Sequence, residues 1–162
     1  MIAPCDGIVR AALVTDEDVV RLRKLVRDEM VALKFSLIEQ TKMVTAASEL
    51  ARNVLRYGGG GEGRINYLRD GSRQGLELSF SDQGPGIAPQ DRERVFERFG
   101  TVPDQSGGGT GLGLAICRQL SRTMGGDIGV ESIEGEGSLF WLRLPLPPAD
   151  LSATATAVGV DA

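Results

Sequence analysis

Glu49 and Asn53 stand four residues apart in a stretch of helical apolar periodicity, so both side chains share one helix face. A carboxylate there can take a proton from an attacking hydroxyl or water. An amide oxygen one turn on is a hard ligand suited to Mg2+, an ion that keeps several waters and shares substrate phosphates. Arg56, a turn further, is placed to reach a phosphate oxygen. Asp82 opens a glycine run, Asp82-Gln-Gly-Pro-Gly86, after the alternating stretch Leu76-Glu-Leu-Ser-Phe80. A carboxylate at a strand end, beside glycines that admit a close backbone, can accept a hydrogen bond from an exocyclic amine such as that of adenine. A second run, Gly107-Gly-Gly-Thr-Gly-Leu-Gly-Leu114, opens an apolar helical stretch. Free N–H groups and the macrodipole at such a start favour an anion, here a phosphate chain.

Taken singly, these features are a solvated helix face, a turn and a linker. The second run is not a dinucleotide fingerprint, because no strand immediately precedes Gly107, nor a Walker loop, because no Lys-Ser or Lys-Thr follows its glycines. Their order is more specific than any part: Glu-x-x-x-Asn, then Asp-x-Gly-x-Gly, then Gly-x-Gly-x-Gly. It describes a nucleotide held between two glycine turns.

The elements that must carry these groups follow from pattern. Residues 7–14 read as a first strand, and Thr15-Asp-Glu-Asp18 as the N-terminus of a helix reaching about Leu33. Ser36-Leu-Ile-Glu39 is a capping box that starts a second helix, with apolar positions from Leu37 to Val54 and Gly58–Gly61 as its end. Residues 64–68 and 76–81 form an antiparallel hairpin around Asp70-Gly71. Pro89–Phe99 is expected as a short helix, 100–110 as a flexible loop, and Leu112–Met124 as a helix stopped by Gly125-Gly126. Strands at 127–132 and 138–144 flank a Glu134–Gly137 turn. The fold class is α+β: a two-layer α/β sandwich with one mixed, mostly antiparallel sheet and helices on one face. One domain is expected over residues 1–147, and 148–162 as a disordered tail.

Composition narrows the function. With 18 basic and 22 acidic residues among 162, there is no basic footprint for nucleic acid. No apolar run is long enough for a bilayer and no signal segment opens the chain, so a cytoplasmic protein without membrane contact is expected. Cys5 and Cys117 have neither metal nor disulfide spacing and read as reduced thiols. Histidine is absent, which excludes a histidine base, ligand or phosphoacceptor within these residues.

The chain resembles the GHKL ATPase superfamily, whose Bergerat fold binds ATP in an α/β sandwich under a mobile lid. Ser48-Glu-Leu-Ala-Arg-Asn53, with Tyr57, is similar to the family's N box, and Asp82–Gly86 to its first glycine box. Val95-Phe-Glu-Arg-Phe99 is similar to the phenylalanine box of sensor histidine kinases, and Gly109–Leu114 to the second glycine box. The resemblance covers about residues 8–145. It implies Glu49 as general base, Asn53 as Mg2+ ligand, Asp82 as adenine anchor and residues 100–110 as ATP lid. It implies ATP among Asn53, Arg56, Asp82, Gly84, Gly86, Ile87, Gly108, Gly109, Thr110, Gly111, Leu112, Gly113, Leu114 and Ser138. Phe96, Phe99 and Trp141 are expected as core or lid-hinge packing rather than adenine stackers.

Within the superfamily, the part up to Gly86 resembles the small bacterial switch kinases of partner-switching modules, the RsbT and RsbW group, which share the Ser-Glu-Leu-x-Arg-Asn pattern. From Arg92 onward, the chain is more similar to a histidine-kinase catalytic domain. A carboxylate at Glu49 suits activation of a serine hydroxyl. The chain also begins almost at its first strand, as stand-alone switch kinases do. The resemblance therefore implies a Mg-ATP-dependent serine/threonine kinase acting on an STAS-domain protein, with a sigma factor or a phosphatase as further partner. Alternatives are a histidine-kinase-type domain acting in trans and an ATP-gated anti-sigma binding module. The first strand and helix lie outside the ATP motifs and are where a homodimer would form.

Overall fold

The computed structural model describes residues 3–71, 73–97 and 113–147. Its strands are β1 (Ala3–Leu13), β2 (Gly61–Asp70), β3 (Arg73–Asp82), β4 (Asp127–Ile133) and β5 (Gly137–Pro145). They form one sheet in the order β1-β2-β3-β5-β4, and every pairing among the described residues is antiparallel. The helices are α1 (Asp16–Ala32), α2 (Leu37–Gly58) and α3 (Gly113–Thr123).

Strand alternation sends one set of side chains toward the helices. Val9, Ile65, Leu78, Leu142 and Ile128 lie in one row across the five strands. Leu13, Leu76, Phe80 and Phe140 occupy neighbouring rows of the same face. Against it pack Leu22, Val26 and Met30 of α1, Met43, Ala47, Leu50 and Val54 of α2, and Cys117 of α3. The opposite face is polar: Asn66 Nδ2 donates to Glu77 Oε1 at 3.0 Å, and Arg143 Nε donates to Glu77 Oε2 at 2.7 Å. The backbone pairing of β2 with β3 runs well beyond the expected hairpin core, from Asp70 opposite Arg73 to Gly61 opposite Asp82.

Helix starts match their sequence signals. The Asp18 carboxylate accepts from the N–H groups of Val14 at 2.8 Å and Thr15 at 2.9 Å. Ser36 Oγ accepts from Glu39 N–H, and Glu39 Oε1 accepts from Ser36 N–H, both at 3.1 Å. At its far end α2 stops on Gly59, whose φ of 72° is left-handed.

Three expectations change. The helix expected over Pro89–Phe99 is two separate 3-10 turns, Pro89–Asp91 and Arg94–Phe96. Burial of the adjacent Val95 and Phe96, and an Arg92 guanidinium donating to the Ser132 carbonyl, leave no single amphipathic helical face. β1 starts at Ala3, because pairing with β2 resumes beyond a register shift between Cys5 and Val9. Trp141 is not in the helix-packed core. It lies on the opposite face, where Gly129 leaves room for its ring and the Arg143 guanidinium stacks 4.2 Å from the ring centroid. Phe96 is core, edge-on to Phe140 at 6.2 Å. Phe99, the 100–110 segment and the 148–162 tail lie outside the described residues.

Candidate functional site

Asp82 is the last residue of β3, opposite Ser138 of β5. Its Oδ1 accepts the Gly84 N–H at 2.9 Å, closing the turn that the Asp-x-Gly pattern favours. Burial pushes the carboxyl above the usual carboxylate range, and hydrogen bonds from the Gly84 and Ser138 N–H groups pull it partly back. The space beside this carboxylate is kept by glycines. A Cβ on Gly58 would strike the Asp82 side chain, standing 2.8 Å from Oδ2. A Cβ on Gly84 would lie 2.8 Å from the Gly58 Cα and 2.9 Å from the Tyr57 carbonyl oxygen. Two bare backbones thus meet at a half-buried carboxylate.

A hydroxyl chain fixes the rest of this turn. Ile87 N–H donates to Ser132 Oγ at 2.7 Å, and Ser132 Oγ donates to the Gly137 carbonyl at 2.9 Å. Ser132 has one proton, so Ser138 is the donor in the 2.8 Å bond between the two hydroxyls. Gly86, with φ of 71°, leads the chain into Ile87 past the Ile133 carbonyl. Asp82, Gly84, Gly86, Ile87 and Ser138 therefore form one connected group.

The second group lies where α2 meets the start of α3. Glu49 is half-buried, and a Cβ on Gly113 would stand 2.8 Å from its Oε2. Its Oε1 takes a 3.3 Å hydrogen bond from Arg52 Nη1. Cys117, on α3, is fully buried, with its thiol 3.4 Å from the Ala46 carbonyl. Burial first, then the Glu49 charge, pushes this thiol far above the usual range, so it stays protonated. Asn53 lies on the Glu49 face of α2, half-buried. Nine residues at the helical rise separate Glu49 from Gly58 by about 13 Å, so α2 connects the two groups with Asn53 between them.

Arg56 is exposed and lines a groove between α1 and α2 together with Arg52. Leu114 is half-buried against the core. Gly108, Gly109, Thr110, Gly111 and Leu112 lie outside the described residues. Two contributors escaped the sequence reading. Gly58 was expected only to stop a helix, although four consecutive glycines exceed what a C-cap needs. Ser132 carries no motif signal, because its role depends on the β4–β5 register.

Among the described residues no three His, Cys, Asp or Glu side chains converge as a metal cluster, and no helix is long and apolar enough to cross a membrane.

A family model described as histidine kinase-, DNA gyrase B- and HSP90-like ATPase matches residues 38–148. The chain is 43% identical over 122 residues to the sensor histidine kinase AruS of Pseudomonas aeruginosa, covering 71% of this chain but 12% of that protein. It is 35% identical over 135 residues to the serine/threonine-protein kinase RsbT of Bacillus subtilis, covering 81% of this chain and 94% of RsbT. Among solved structures, full-length ShkA in complex with AMPPNP is similar with a TM-score of 0.58 and 25% identity, over 96% of this chain and 34% of ShkA.

Proposed function

The chain belongs to the histidine kinase-, DNA gyrase B- and HSP90-like (GHKL) ATPases, and on that premise we propose that it is a Mg-ATP-dependent serine/threonine kinase of a bacterial partner-switching module, active in the cytoplasm. Its acceptor would be an STAS-domain protein, and its output control of a sigma factor or a phosphatase. The observation that carries this reading is the 35% identity to RsbT over 94% of that kinase's length. The acidic Glu49, half-buried at the mouth of α3, supports it.

The described residues fit the nucleotide. The Asp82 carboxylate has glycine backbones rather than side chains around it, which suits an adenine amine as donor. Its raised proton affinity comes from desolvation, the environment in which a hydrogen bond to a ligand gains most. Asn53 offers one oxygen to Mg2+, and phosphates and water would supply the others. Bound Mg-ATP would present the γ-phosphoryl group for in-line transfer. Glu49 would accept the proton of the attacking serine or threonine hydroxyl as the O–P bond forms and ADP leaves. Arg56 would contact a phosphate oxygen, and Gly108–Leu114 would cover the phosphates.

A second reading, a histidine-kinase-type domain acting on another chain, draws on the higher identity to AruS. The test is mass-spectrometric localisation of the phosphoryl group on proteins of the source cell incubated with this protein and Mg-ATP. Phosphoserine or phosphothreonine on one small protein is expected; phosphohistidine would replace the first reading with the second. Nucleotide-dependent partner capture with no transfer would leave the anti-sigma binding module.

A further inference from the structure

The antiparallel packing of α1 on α2 leaves a groove of about 590 Å3 whose rim carries Arg23 from α1 and Arg52 and Arg56 from α2. Val20, 64% exposed, and Leu55 supply its apolar part, and Asp16 is its one acidic residue. Three guanidiniums against one carboxylate make this a positive channel on a chain of net charge −4. Arg23 and Arg56 have no ion-pair partner among the described residues, as is also true of the exposed Arg27 and Arg122, whereas Arg21, nearby on α1, pairs with Asp18 at 2.5 Å. Arg52 also connects the groove to the site, through its 3.3 Å contact with Glu49. α2 thus carries Glu49 and Asn53 and, beside them, one wall of a basic groove.

We infer that the α1–α2 groove docks an acidic segment of the protein acceptor, with acidic side chains on Arg23 and Arg52 and an apolar side chain between Val20 and Leu55. Charge selects this occupant: guanidinium forks bind carboxylates bidentately and favour acidic over neutral or basic segments. Docking there brings the acceptor alongside Glu49 through Arg52, on the α1 flank of α2, whereas Asp82 meets α2 at Gly58. This inference rests on the kinase reading for the identity of the partner, but not for the existence of the groove.

The test uses the full chain and a fluorescein-labelled peptide of glutamates with interspersed leucines, beside a copy with glutamine at every glutamate and a DNA oligonucleotide of equal charge. Anisotropy should give binding of the acidic peptide at least about tenfold tighter than of the glutamine copy and of the oligonucleotide. Arg23→Glu should remove that preference and Arg23→Gln should reduce it, and saturating ATP should not displace the peptide. Calorimetric ATP affinity should be the same for both variants and wild type, which also shows that they are folded. Equal binding of the two peptides, equal or tighter binding of the oligonucleotide, an unaffected Arg23→Glu variant, or displacement by ATP would each overturn the inference. Loss of ATP binding in the wild-type chain, with peptide selectivity intact, would refute the kinase reading and leave the groove standing.

Discussion

The Asp82 side chain rests against the Cα of Gly58, so close that a methyl group on Gly58 would overlap it. The last turn of α2 and the end of β3 therefore meet through a glycine, and the carboxylate is half-buried because that helix end covers it. Gly58→Ala must push β3 and α2 apart or turn the carboxylate away. Overpacking of this kind costs about 1–3 kcal/mol. ATP affinity should fall by on the order of tenfold for a loss near 1.4 kcal/mol at the site. Calorimetry with ATP, alongside a urea melt, reads both; an unchanged affinity would detach Asp82 from the nucleotide.

The raised proton affinity of Asp82 predicts a pH dependence of stability. The folded state holds this proton more tightly than the unfolded state does. Its contribution therefore falls as pH rises from the unfolded carboxylate value through the raised folded one, and is constant above. Asp82→Asn removes that proton. Urea midpoints measured from about pH 4 to pH 7 should show the variant gaining on the wild type across the lower part of the interval, with no further change above. The same variant should bind ATP more weakly. A difference between the two proteins that is flat with pH would contradict the assigned burial.

Cys117 should be chemically silent. Burial and the nearby Glu49 charge keep the thiol protonated far above neutral pH, and the side chain is sealed beneath α2. In a Cys5→Ser background, a thiol reagent should modify the native protein no faster than it unfolds, and completely in denaturant. Rapid native labelling at Cys117 would mean that α3 does not pack on α2 as described.

Much of this was legible because local chemistry and tertiary packing agree. The Ser36–Glu39 box and the apolar rows of α2 need only helical periodicity, and Glu49 and Asn53 follow from it. Asp82 and Gly84 read correctly as a strand end and a turn because an Asx turn is a local hydrogen bond. What escaped depends on contacts distant in sequence. Gly58 acquires its second role from a residue 24 positions away. Arg92 anchors its segment to the Ser132 carbonyl, so a helix-like pattern resolves into two tight turns. Trp141 reads as core by type, but strand register puts it on the polar face with Gly129 and Arg143. The α1–α2 groove likewise exists only once two helices lie side by side, and nothing in the spacing of Arg23, Arg52 and Arg56 foretells it.

Glu49 is proposed as the base in a transfer to a serine or threonine hydroxyl. The most direct test of this assignment is phosphotransfer from γ-labelled ATP and Mg2+ into proteins of the source cell, with wild type and Glu49→Gln compared on an acid-washed gel. Calorimetric ATP affinity is measured for the same two proteins. An acid-stable band of small-protein size is expected, falling by about 10²–10⁴-fold in the variant while ATP affinity is retained. Undiminished acid-stable transfer by Glu49→Gln, or label that survives only without the acid wash, would contradict the assignment.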